Sequence, residues 1–168
     1  MKVDASRVRI VSVLALLAFA GPGARAQSYS AHLTGPPANN SPGIGDATFS
    51  LVGNMFSVSV SFSGLTAGTT ASHVHCCTTN PLTGDAGVAT PVPSFPGFPL
   101  GVTSGTYSRT FDLSLPSSYN PAFVTAHGGV AGAKTAFIDG LNGGNAYLNI
   151  HTTAFPGGEI RGFIIATP

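Results

Sequence analysis

Two histidines one residue apart stand in the run Ser72-His73-Val74-His75-Cys76-Cys77. A strand points alternate side chains to one face, so extended backbone here puts both imidazoles on the same side. Their Cα atoms then lie about 6.5 to 7 Å apart, a gap that two ring nitrogens can close on one metal ion. A third histidine, His151, ends the run Tyr147-Leu148-Asn149-Ile150, and a sheet pairing the two segments brings it beside the others. His-x-His with a distant His is a donor set for copper or zinc. The same residues also fit hydrogen-bonded histidines in a polar patch without metal. The hairpin register around residues 155–158 decides the face that His151 takes, because a one-residue slip reverses it. His32, in a segment expected to be an edge strand, and His127, closing a short helix where the dipole favours an imidazolium, have weaker claims.

Cys76 and Cys77 admit three readings: a disulfide between neighbours, additional soft ligands beside the histidine pair favouring Cu(I), or inert or intermolecular thiols. Neighbouring Cα atoms sit about 3.8 Å apart, closer than disulfides usually span, so that ring needs a distorted or cis peptide.

Other chemistries find little support. No serine lies in a Gly-x-Ser-x-Gly elbow, and the carboxylates are too few and scattered for a glycosidase pair. Glu159 and Arg161, two apart on a predicted strand face, read as a structural salt bridge. Beyond residue 26 only Arg109, Lys134 and Arg161 oppose Asp46, Asp85, Asp112, Asp139 and Glu159, which leaves no basic patch to neutralise phosphates and excludes nucleic acid as a partner.

The elements that must position these residues begin after a secretory signal. Lys2, Arg7 and Arg9 precede an apolar run over residues 10–20 and the small-x-small triplet Ala24-Arg25-Ala26, so residues 1–26 read as a signal peptide. No second apolar run of about 18 to 20 residues follows, so no membrane span is expected after cleavage. Residues 27–168 then form one domain, secreted to the periplasm or the extracellular space.

Charged residues make up only 8% of the chain, and Gly, Pro, Ser and Thr are abundant, which points to short strands joined by turns. Phe56, Val58, Val60 and Phe62 alternate with serines, a strand with one buried face, and residues 46–52 are its hairpin partner across Gly53-Asn54. Strands are also expected over residues 29–33, 71–75, 106–115, 146–152 and 159–165. Asn120-Pro121 signals a helix start and Gly128-Gly129 its stop, with a second short helix over residues 130–141. The proline-rich segment 78–104 is long for a plain loop and is expected to be functional or wrapped over a surface.

The closing run Tyr147-Leu148-Asn149-Ile150-His151-Thr152-Thr153-Ala154-Phe155-Pro156-Gly157-Gly158-Glu159-Ile160-Arg161-Gly162-Phe163 resembles the final motif of CHRD (chordin-type) domains. Ala31-His32-Leu33-Thr34-Gly35 and Ser72-His73-Val74-His75 are similar to the family's other two landmarks. The resemblance implies a mainly β protein, an antiparallel β-sandwich of immunoglobulin-like or superoxide-dismutase-like form, here with one or two short helices before the last hairpin. It also implies that His73, His75 and His151 are the family's histidines. The His-x-His strand is similar to the copper-binding strand of Cu/Zn superoxide dismutase, but residues 78–104 lack that enzyme's zinc-loop pattern. The chain departs from the family at Cys76-Cys77 and in the expanded segment after it, and it stops without the sorting tail of many bacterial members, which implies a released protein.

Three functions fit. The first is a non-catalytic binding or structural module contacting an extracellular protein or polysaccharide. The second is a copper- or zinc-binding protein using His73, His75 and His151, and the third a redox enzyme built on that metal.

Overall fold

The computed structural model describes residues 26–36 and 38–168. The expected signal segment, up to residue 25, lies outside the described residues. Eight strands and two helices follow: β1 (Gln27–Thr34), β2 (Ile44–Val52), β3 (Met55–Ser63), β4 (Thr69–Cys76), β5 (Gly105–Asp112), α1 (Pro121–Ala126), α2 (Val130–Gly143), β6 (Ala146–Thr152), β7 (Ile160–Phe163) and β8 (Ile165–Thr167). A short 3-10 turn over Pro116–Ser118, which the sequence pattern did not suggest, precedes α1.

The fold is mainly antiparallel β, with both helices placed before the last strands as expected. Its layers come from one continuous hydrogen-bonded path, β4-β6-β7-β1-β2-β3-β5 with β8 also on β1, that curls over on itself. In β3 the alternation does what a period of two requires. Phe56, Val58, Val60 and Phe62 are buried, while Ser59, Ser61 and Ser63 face solvent. The β2–β3 hairpin closes at Gly53-Asn54, with Val52 opposite Met55.

Asn120 caps α1 by accepting a hydrogen bond from the Ala122 N–H, and Pro121 supplies the first helical residue. Helix α2 ends on the left-handed Gly144 and lays Phe137 edge-on against Phe56, ring centroids 5.2 Å apart. Leu33, Val74, Leu148, Ile150, Ile160 and Ile164 complete a single core.

Two expectations are corrected. Strand β1 is an interior strand, because its backbone pairs with β2 on one side and with β7 and β8 on the other. Its alternation marks a buried face but carries no sign of occupied edges. The last predicted strand divides at the buried Ile164, whose N–H bonds the Ala146 carbonyl. β7 then pairs with β6, and β8 crosses to β1.

The segment between β4 and β5 is wrapped against both. Along β4 it supplies hydrogen bonds from Phe95 N–H to Ser72 O (2.8 Å), from Ala89 N–H to Val74 O (2.9 Å) and from Cys76 N–H to Gly87 O (3.0 Å). Toward β5 the buried Phe95 ring packs on Tyr107 and Phe111, at 5.6 and 5.3 Å between centroids. Arg109, which interrupts the apolar face of β5, is exposed and donates to the Pro96 carbonyl. Among the described residues no helix is long and apolar enough to cross a membrane.

Candidate metal centre

Strands β4 and β6 pair antiparallel with His73 opposite Asn149, Ala71 opposite His151 and His75 opposite Tyr147. Opposed residues in a sheet share a face, so His73, His75, Tyr147, Asn149 and His151 all project to one side. His151 therefore sits diagonally from His73. One ring nitrogen from each histidine lies within 4.8 Å of the other two. The centroids are 4.7 Å apart for His73 and His151, 5.2 Å for His73 and His75, and 6.1 Å for His75 and His151.

The far side of two rings is held by backbone. Nδ1 of His75 is 2.8 Å from the Ala86 carbonyl, and Nδ1 of His151 is 2.8 Å from the Pro156 carbonyl. A carbonyl only accepts, so each Nδ1 carries the proton and each Nε2 carries the lone pair. Those two Nε2 atoms and Nδ1 of His73 are buried and have no hydrogen-bond partner among the described residues. An unpaired buried acceptor costs about 1–3 kcal/mol, and three together in one place are unusual in a folded protein.

Burial, first, and then the neighbouring charges of His151 and His75 push the His73 pKa down to about 3, with a hydrogen bond to the Pro93 backbone acting in the opposite sense. Burial is also the leading cause that lowers His75 and His151, with His151 and then Arg161 adding to it at His75 against the raising effect of the Ala86 hydrogen bond. All three rings are thus neutral at neutral pH with lone pairs free, which is what ligation requires. An aromatic stack flanks the cluster: His75 lies over Tyr147 (4.7 Å, 8° between planes), and the Arg161 guanidinium lies 5.1 Å from the other ring's centroid.

Asn149, between the histidines in the register, donates to the Gly157 carbonyl and fixes the turn that carries Pro156. Gly158 in that turn has φ +120°, and a Cβ there would fall 2.3 Å from Asn149 Oδ1, so backbone conformation and space both require glycine. The turn is thereby set against the cluster.

Other candidates lie elsewhere. Cys76 and Cys77 form a disulfide whose sulfurs approach the Ala136 carbonyl of α2, away from the imidazole face of β4, and neither joins the histidine cluster. The Glu159–Arg161 salt bridge does not form. Arg161 pairs with Asp85, while Glu159 is fully buried and accepts from the hydroxyls of Ser41, Thr66 and Thr152 and from the Thr66 N–H. Glu159 precedes β7, so the strand alternation assumed for the pair does not apply to it. Burial raises its pKa, but the bonds from Thr152, Ser41 and Thr66 outweigh that and the net shift is downward. His32 pairs with Asp46 at 2.8 Å on the surface, and His127 Nδ1 bonds the Phe123 carbonyl at the end of α1.

The groups that orient the histidines, the carbonyls of Ala86 and Pro156 and the ring of Tyr147, were not singled out from sequence. The only signal was the unusual length of the segment holding Ala86. Against known proteins, the CHRD domain model matches residues 29–164. No curated protein and no solved structure matches the chain.

Proposed function

The chain belongs to the CHRD domain family, and we propose that it is a secreted, non-catalytic protein that binds one copper or zinc ion through His73, His75 and His151. The observation carrying this reading is the convergence of three buried, unpartnered imidazole nitrogens within 4.8 Å of one another, two of them on rings whose opposite nitrogens are tied to backbone carbonyls. Ligating histidines are held in this way, because the outer bond fixes tautomer and ring angle. One ion at about 2.0–2.1 Å from each nitrogen draws them to about 3.4 Å apart, inside the 4.8 Å within which they now lie.

The charged, apolar and small-residue order of residues 1–26 supports export. Recognition of an extracellular protein or polysaccharide has no comparable constellation behind it among the described residues.

The test is metal analysis of the protein purified from its native compartment, beside the triple variant His73→Ala, His75→Ala, His151→Ala. One equivalent of copper or zinc in the wild type, lost in the triple variant, is the expected result. A metal-free wild type whose thermal midpoint ignores both ions overturns the reading, since an ion at about 100 times its Kd stabilises a fold by about 2.7 kcal/mol.

A further inference from the structure

Resting on that metal-binding reading, we infer that the site selects monovalent copper: Cu(I) held by three neutral imidazoles, in preference to Zn2+ or Cu2+. Charge favours the monovalent ion. Among the described residues the cluster holds histidines alone, with no carboxylate and no thiolate. The nearby acidic residues are engaged elsewhere, Asp85 in an exposed pair with Arg161 and Glu159 in its ring of hydroxyls. Both sulfurs are committed to each other. A divalent ion here would keep its full double charge in a desolvated place, with the Arg161 guanidinium stacked just beyond Tyr147 and His75. A single charge costs far less to bury, because the solvation penalty grows with the square of the charge.

Coordination number favours it as well. Each of the three free nitrogens is shut off from solvent. A water ligand has no open approach along the lone pairs. Zn2+ in protein sites takes four ligands, and Cu2+ prefers four or more in tetragonal arrangements. Cu(I), a filled-shell d10 ion, is satisfied by three nitrogen donors. The outer hydrogen bonds to Ala86 and Pro156 hold two of the rings in place, and the buried, unpartnered oxygen on the same face, Oδ1 of Asn149, is a hard amide donor that suits Zn2+ far better than Cu(I) and stays outside a three-nitrogen cuprous shell.

The purified full chain, stripped of metal, is titrated separately with Zn2+, with Cu2+, and with Cu(I) kept reduced by ascorbate against a chromophoric Cu(I) chelator. X-ray absorption then reads the ligand shell of the Cu(I) form. The variant Cys76→Ser with Cys77→Ser, assayed in parallel, removes any thiol released by the reductant. The expected result is one Cu(I) per chain in both proteins, bound about a thousandfold more tightly than Zn2+, with three nitrogen scatterers and no sulfur. Tighter binding of Zn2+ or Cu2+ to wild type, or a four-ligand or sulfur-containing shell, overturns the cuprous inference and leaves the metal-binding reading intact. Failure of all three ions to bind overturns both.

Discussion

Gly158→Ala isolates the turn that braces the cluster. At φ +120° an alanine is strained by about 1–3 kcal/mol. Its Cβ would also fall 2.3 Å from Oδ1 and 2.4 Å from Nδ2 of Asn149, a side chain that is 4% exposed and tied to Gly157, so it cannot swing away freely. Overpacking of this kind adds about 1–3 kcal/mol. The two terms give a loss of about 2–6 kcal/mol in urea unfolding. Two controls separate them. Gly157→Ala, with nothing within 4 Å and ordinary φ, is close to neutral, and Gly84→Ala, at φ +83° with open space, shows backbone strain alone. Adding Asn149→Ala to Gly158→Ala recovers the steric part as a coupling energy. The displaced turn also moves the Pro156 carbonyl off His151, so metal affinity falls with stability. A Gly158→Ala variant within about 0.5 kcal/mol of Gly157→Ala refutes this account.

Stability of the metal-free protein falls with acid in two stages. Because the folded pKa of His73 is depressed from 6.5 to about 3, the folded state binds fewer protons, so stability is full above pH 6.5 and declines below it, by about 1–2 kcal/mol at pH 5. Glu159, whose folded pKa also lies below its usual 4.5, adds a second decline below that pH. Urea unfolding from pH 7.5 to 3.5 in chelator reads both, and His73→Gln should shallow the first stage, leaving the part that the lowered His75 and His151 contribute; an unchanged slope contradicts the assignment. Phe95→Ala removes the ring that joins the wrapped segment to β5 and is expected to cost about 3–5 kcal/mol in the same assay, whereas a cost below about 1 kcal/mol would show that the segment is not part of the core.

The strands that alternate cleanly, β2 and β3, and the helix start at Asn120-Pro121 were legible because side-chain period and capping are local properties. The interior place of β1 and the break at Ile164 were not, since both depend on which backbone edges find partners. At the centre, the three histidines were visible as residue types. The shared face of His73 and His75 followed from strand alternation, but the place of His151 beside them did not, because it needed the register of β4 on β6. The carbonyls of Ala86 and Pro156 carry no sequence signature at all, as every residue has one. Glu159 misled because spacing suggested a strand face and its residue type suggested a cation. The fold instead surrounds it with hydroxyls from three separate segments.

The segment wrapped along β4 bears on how such a chain survives at high local concentration. Sheets commonly protect an end strand from a second molecule by placing lysines or other charges on it. Only 8% of this chain is charged, and β4 carries no Lys, Arg, Asp or Glu. Its outward amides and carbonyls at Thr69, Ser72, Val74 and Cys76 are already engaged by residues 87–102, through backbone bonds and the hydroxyls of Thr90 and Ser94. Intermolecular strand addition is blocked there by a covalently attached occupant, so the strand bearing His73 and His75 is shielded without electrostatic repulsion.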